Sequence, residues 1–278
     1  MMSKLSALLK HLSTFNAEWN VPLKWLAKSQ TELNRKFKQT AKVSVSECDD
    51  LQHVTINEEL FLWPRNCPLD DLLVIASELM NPDHPHQYLW GPTRIERGDV
   101  VMDIGACEGS FSARAAALGA RVIAVEPSKL QSSLIRQLFN KKGLDEPLIV
   151  KCLLDIKPGS KHFIDVLDNP GRSRPVESPL ENSYPVEVET MDGLVQRLRL
   201  TRLDFIKCDA EGADVDILKG GRESLLNFRP KIAVCTYHND NDFLDLHRYL
   251  TGLGYNVVGK GFLHSHRKLR INMIHAWC

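Results

Sequence analysis

Long apolar runs are missing from this 278-residue sequence: no stretch approaches the roughly 18 consecutive apolar residues of a membrane span. Met1 to Lys28 alternates apolar with polar residues, where a secretory leader would carry an apolar block. These absences predict a cytoplasmic protein without stable membrane insertion. An excess of either charge is also missing. With 35 basic residues against 35 acidic ones, no global field draws the chain to nucleic acid. The cysteines are odd in number, seven, and form no Cys-x-x-Cys pair, which argues against a disulfide framework or a structural zinc site. Cys107, Cys208 and Cys235 lie in or beside apolar stretches and read as reduced core thiols.

What is present is a change of pattern along the chain. Residues 1–45 read as a helical extension, with Leu5, Leu8, Leu9 and Leu12 on one face and basic residues in excess, suited to capping or to homo-oligomer assembly. Residues 46–97 form an α/β lead-in: the β-like "HVTINEELFLW", the helix-like "PLDDLLVIASELM", and a break at Pro82, Pro85 and Pro92. From residue 98 to 278, apolar runs of strand length alternate with amphipathic helices, as a sheet covered on both faces requires. The predicted fold is α/β, a doubly wound and mostly parallel Rossmann-like sheet. "LIVKCLL" is its third strand. A long loop between "KHFIDVL" and "PVEVET", rich in Pro, Ser and charge, interrupts the alternation.

In such sheets the ligand lies beyond the carboxyl ends of the strands. "VVMDIGACEGSFS" occupies that place after the first core strand. It lacks the lysine of a Walker phosphate loop and the third glycine of a dinucleotide fingerprint, and its acidic residues would repel pyrophosphate. Asp103 at the strand tip and Glu126 at the end of the next strand suit instead a nucleoside that carries an ammonium and a sulfonium, with Glu126 accepting the ribose hydroxyls.

"VVMDIGACEGSFS…GARVIAVEPS" resembles the first two motifs of class I S-adenosylmethionine-dependent methyltransferases. "VETMDGLV…LDFIKCDAEGADVDILKGG…RPKIAVCTYH" resembles their FkbM-type branch, from about Gly98 to the C-terminus. The resemblance implies a seven-stranded sheet with a final antiparallel strand, here "RINMIHAW". It also implies S-adenosylmethionine as cofactor and methyl transfer to a hydroxyl of a sugar, natural product or other small molecule. By motif position, Asp103, Gly105, Ala106, Cys107 and Gly109 border the methionine end. Glu126 and Ser128 lie at the ribose, and Asp155 on the adenine side.

An aliphatic hydroxyl needs its proton removed or its oxygen polarised before it attacks a methyl group. The candidates stand at the ends of the fourth and fifth core strands: Lys207, Asp209 and Glu211 in "KCDAEGAD", and His238 in "CTYHND". Either His238 is a general base oriented by Asp209 or Glu211, or the three hold a divalent cation such as Mg²⁺. The turn Asp-Ala-Glu-Gly differs from the Asn/Asp-Pro-Pro-aromatic turn of nucleobase methylases, so no nucleic-acid partner is expected. The acceptor is expected to meet the 156–185 loop, "HPHQYLW" and "GFLHSHRKLR", where His264, His266, Arg267, Lys268 and Arg270 could attract an anion. Two other classes remain open: a non-catalytic binding or scaffold module, and an NAD-dependent oxidoreductase.

Overall fold

The computed structural model describes residues 21–22, 25, 29–48, 50–166, 173–176, 178–265 and 268–278. The leucines that define the amphipathic face of the N-terminal extension lie outside them. Helix α1 (Gln30–Thr40) begins on Ser29, whose hydroxyl accepts from the Glu32 N–H. Strands β1 (Val43–Cys48), β2 (Leu51–Ile56) and β3 (Glu59–Pro64) make an antiparallel three-stranded sheet. Asn57 and Glu58 both take positive φ in the β2–β3 turn, the geometry that keeps a two-residue hairpin in step with strand twist. Helix α2 (Leu69–Met80) packs Leu72, Leu73, Ala76 and Leu79 into the apolar cluster below this sheet.

The core follows as β4 (Val100–Ile104), α3 (Ser110–Ala117), β5 (Arg121–Val125), α4 (Lys129–Lys142) and β6 (Leu148–Val150). After these come β7 (Leu153–Leu154), β8 (Gly159–Ile164), β9 (Arg174–Val176), β10 (Tyr184–Glu189) and α5 (Met191–Arg197). The chain closes with β11 (Phe205–Cys208), α6 (Asp214–Lys219), α7 (Arg222–Phe228), β12 (Lys231–Cys235), α8 (Asp242–Gly252), β13 (Asn256–Ser265) and β14 (Lys268–Trp277). Seven strands form one sheet in the order β13-β14-β12-β11-β4-β5-β6. β14 runs antiparallel to both neighbours, and β12, β11, β4, β5 and β6 pair in parallel. The fold class, the strand number and the final antiparallel strand are as the sequence predicts.

Side-chain alternation along the strands sorts the core into two layers. Val100, Met102, Ile104, Ile206, Cys208, Ile232 and Val234 pack with residues of α5 to α8. Val101, Phe205, Ala233 and Cys235 point the other way, toward α2, α3 and the hairpin. Lys207 and Asp209 continue the alternation of Phe205, so that second layer is where polar groups meet.

The third core strand differs from the sequence reading. "LIVKCLL" divides at Lys151: β6 joins the large sheet, and β7 pairs with β10 in a separate four-stranded sheet of order β7-β10-β8-β9. Lys151 and Cys152 belong to neither strand, and the chain passes between the two sheets there. The long loop is likewise not all loop, since β9 pairs with β8 inside it. Among the described residues, no helix is long and apolar enough to cross a membrane.

Candidate active site

A cavity of about 560 Å³ opens at the carboxyl ends of β4, β5 and β11, with the small sheet as its outer wall. Gly105, Cys107, Glu126, Asp155, Asp209 and Glu211 line it, as do Val125, Pro127, Leu154, Phe163 and Pro175. Glycine is required at position 105: its φ is +71°, and a Cβ there would stand 2.1 Å from the Asp209 carbonyl oxygen. Ala106, Gly109 and Ser128 stand behind this wall. Gly109 precedes α3 at φ +87°, and Ser128 caps α4 by accepting from the Gln131 N–H.

Glu126 accepts from the Cys107 N–H and the Ser128 N–H, both at 2.9 Å, so one carboxylate ties the β4 and β5 loops together. Burial pushes its carboxyl up to about 7, against those two donors and the Lys207 ammonium. Asp155 also loses by burial, but its ion pair with Lys161 and the Ile156 N–H outweigh that and hold it below its ordinary value.

Two expected roles change. Asp103 is completely buried and is not part of the cavity wall: one oxygen accepts from Ser112 Oγ at 2.6 Å and the other lies 3.0 Å from Lys207 Nζ. Lys207, expected among the proton-handling groups, donates to the carbonyl of Gly105 at 2.5 Å. Burial opposes its charge, yet Asp103 and Asp209 hold the ammonium well above the ordinary lysine value. Held in this way, the group keeps its proton as an ammonium. Its ammonium shapes the Gly105 loop instead.

Asp209 is the meeting point. Tyr88 Oη donates to its Oδ2 at 2.7 Å, and His86 Nε2 stands 3.8 Å from the same oxygen. Its Oδ1 faces His238 Nε2 at 3.5 Å, and both of these buried atoms lack a hydrogen-bond partner. Burial disfavours the Asp209 charge, but His86, Lys207 and His238 together keep the carboxyl below its usual range. His238 Nδ1 is oriented by Asp214 at 3.1 Å, not by Asp209 or Glu211, whose carboxylate is 3.8 Å from Nε2. Burial lowers the His238 pKa, and Asp214, Asp209 and Glu211 reverse this and push it up to about 9. The structure therefore does bring Asp209, Glu211 and His238 together. Among the described residues, however, the ligand-type atoms that all lie within 4.8 Å of one another belong to His86, Asp209 and Cys235.

Residues 103–257, more than half of the chain, match the methyltransferase FkbM domain. The chain belongs to the FkbM methyltransferase family. Among solved structures, a methyltransferase FkbM from Methylobacillus flagellatus KT superposes with a TM-score of 0.51 at 19% identity, over 75% of this chain and 54% of that one. The chain thus spans about half the length of that FkbM structure. A precorrin-6y C5,15-methyltransferase from Geobacter metallireducens GS-15 follows at TM-score 0.42 and 16% identity, over 67% of this chain and 83% of that one. No curated protein matches the sequence.

The FkbM match begins at Asp103, so Glu78, His86 and Tyr88 precede it. These residues, and Asp214, are the functional candidates that sequence reasoning missed. "HPHQYLW" carried a signal as a suspected contact region, but nothing in its spacing shows that alternate residues His86 and Tyr88 turn onto a strand end. Of the basic residues expected near 264–270, Arg270 donates to the Tyr237 carbonyl and pairs with Asp240. The side chains of His264, His266, Arg267 and Lys268 lie outside the described residues.

Proposed function

We propose that this chain transfers a methyl group from S-adenosylmethionine to a hydroxyl oxygen of a small molecule or glycan. The observation that carries this reading is the buried pair Asp209 Oδ1 and His238 Nε2, which face each other at 3.5 Å without hydrogen-bond partners, Asp209 lining the cavity and His238 standing behind it. A hydroxyl has one proton to give, and at this pair the neutral imidazole nitrogen is the acceptor that can take it as a base.

The cofactor pocket fits that assignment. Glu126 at the end of β5 keeps lone pairs for two ribose hydroxyls, and Gln131 Oε1 at the wall is a buried acceptor without a donor. Val125, Leu154, Phe163 and Pro175 offer apolar surface to a purine. S-adenosylmethionine supplies, when bound, a methyl carbon activated by a positive sulfur, so the protein's task is alignment and removal of one proton. Asp209, fixed by Tyr88, stands 3.5 Å from Nε2 of His238 and favours the positive charge that the ring gains. His238 takes the proton at Nε2, and Asp214 on Nδ1 stabilises the imidazolium that forms. Four carboxyl groups, of Glu126, Asp155, Asp209 and Glu211, line the cavity with two cations, Lys161 and Arg174.

Titration calorimetry with S-adenosylmethionine and with S-adenosylhomocysteine tests the first half, and transfer of labelled methyl to hydroxylated compounds in a cell extract tests the second. The parent should bind both nucleosides. His238→Ala should keep that affinity while losing about 10²–10⁴-fold in turnover, the usual worth of a general base. Binding of neither nucleoside overturns the proposal.

A further inference from the structure

We propose that His86, Asp209 and Cys235 form a binding site for a thiophilic first-row divalent cation such as Zn²⁺ or Fe²⁺. The three donors come from the segment before the core, the end of β11 and the end of β12, and their ligand atoms lie within 4.8 Å of one another. His86 Nε2 is 2.9 Å from Cys235 Sγ and 3.8 Å from Asp209 Oδ2. Tyr88 Oη stands at the edge of the group, 3.1 Å from His86 Nε2 and 2.7 Å from Asp209 Oδ2.

The surroundings are those of a ligand set. Glu78 on α2 places Oε2 3.0 Å from His86 Nδ1, and its other oxygen accepts from Gln30 Nε2. A carboxylate on one imidazole nitrogen leaves the other for the cluster and fixes the ring, the arrangement that commonly backs a metal-bound histidine. One sulfur, one nitrogen and one oxygen donor disfavour Mg²⁺ and Ca²⁺, which take oxygen ligands, and favour the softer ions. Three protein ligands would leave a fourth position to water or a further ligand. Binding would release the Cys235 proton to solvent, with no change of oxidation state. The site differs from the Asp209, Glu211 and His238 set in using the opposite oxygen of Asp209, so Oδ1 still faces His238. It would also staple residues 81–92 to two strand ends.

The inference stands apart from methyl transfer, because its readout is metal itself. The full chain is stripped with chelator, loaded with Co²⁺ and examined by elemental analysis and absorption spectroscopy. One cobalt per chain with a thiolate-to-cobalt charge-transfer band is expected. Cys235→Ser should lose that band, His86→Ala should lose most of the binding, and Glu78→Gln, which removes no ligand, should weaken affinity about 10–100-fold. Absence of stoichiometric uptake by the parent overturns the proposal, as does a charge-transfer band that survives in Cys235→Ser. Should Cys235→Ser or His86→Ala fail to fold, Glu78→Gln decides: unchanged affinity there overturns the site.

Discussion

Lys207 and Asp103 are register partners across the β4–β11 ladder, and that pairing decides what each can do. Both side chains are buried, and each offsets the other's loss of water, with Ser112 helping Asp103 and Asp209 helping Lys207. Replacing Lys207 by Met leaves the Asp103 carboxylate in the core with Ser112 as its remaining partner, and should cost about 3–5 kcal/mol in a denaturant titration. The double variant Asp103→Asn, Lys207→Met should recover much of that loss. A Lys207→Met protein as stable as the parent would show that the pair holds nothing together. Strand-end carboxylates and His238 are visible in the sequence because their positions follow from where apolar runs stop. The Lys207–Asp103 pair is not, since it depends on which residues of two strands stand opposite each other. Asp214 was hidden for another reason: in sequence it is an ordinary acidic residue in a helix's first turn, yet its carboxylate accepts from the Ala210 and Gly212 N–H groups and from His238.

At the scale of elements, the segment between α2 and β4 has no periodicity, which is why it reads as a linker, but its groups are almost all engaged. Lys260 on β13, itself buried, donates to the carbonyls of His84, Pro85 and Gln87. His84 Nδ1 accepts from the His86 N–H, and its Nε2 faces Asn34 Oδ1 on α1. Burial, with the nearby His86 and Lys260, pushes the His84 pKa down to about 3, so the ring is neutral in the fold. In the unfolded chain it takes a proton below about 6.5. Stability from this residue is therefore complete above pH 6.5 and is lost as pH falls toward 3, reaching a loss of about 2 kcal/mol near pH 5. Glu126 and His238, with raised pKa values, gain stability over the same range, so the His84 share is read by difference in denaturant titrations: between pH 7.5 and pH 5 His84→Gln should lose about 2 kcal/mol less than the parent. Equal pH dependence in the two proteins would mean that His84 does not tie this segment down. The split of "LIVKCLL" between two sheets was equally illegible, because an apolar run specifies a strand without specifying its partner.

Over the whole molecule the formal charges cancel, yet the carboxyl edge of the sheet concentrates Glu126, Asp155, Asp209, Glu211 and Asp214 against Lys161, Lys207 and His238. The layered α/β architecture was readable from the alternation of runs, since burial on both faces leaves that pattern in any such chain. The site's electrostatics were not, because they arise from groups as far apart in sequence as Glu78 and His238, meeting at one edge. A consequence follows for catalysis. His238 has a raised pKa of about 9 because three carboxylates surround it, so at pH 7 only about 1% of the free enzyme carries the neutral imidazole. If neutral His238 accepts the hydroxyl proton, kcat/KM should climb about tenfold per pH unit from 7 and level off near 9, roughly 100-fold higher in all. Asp214→Asn removes the nearest of those carboxylates and should move the limb to lower pH, which a merely structural Asp214 would not do. A profile that falls through pH 9 instead would make the imidazolium the active form, with His238 polarising the acceptor and Asp209 receiving the proton.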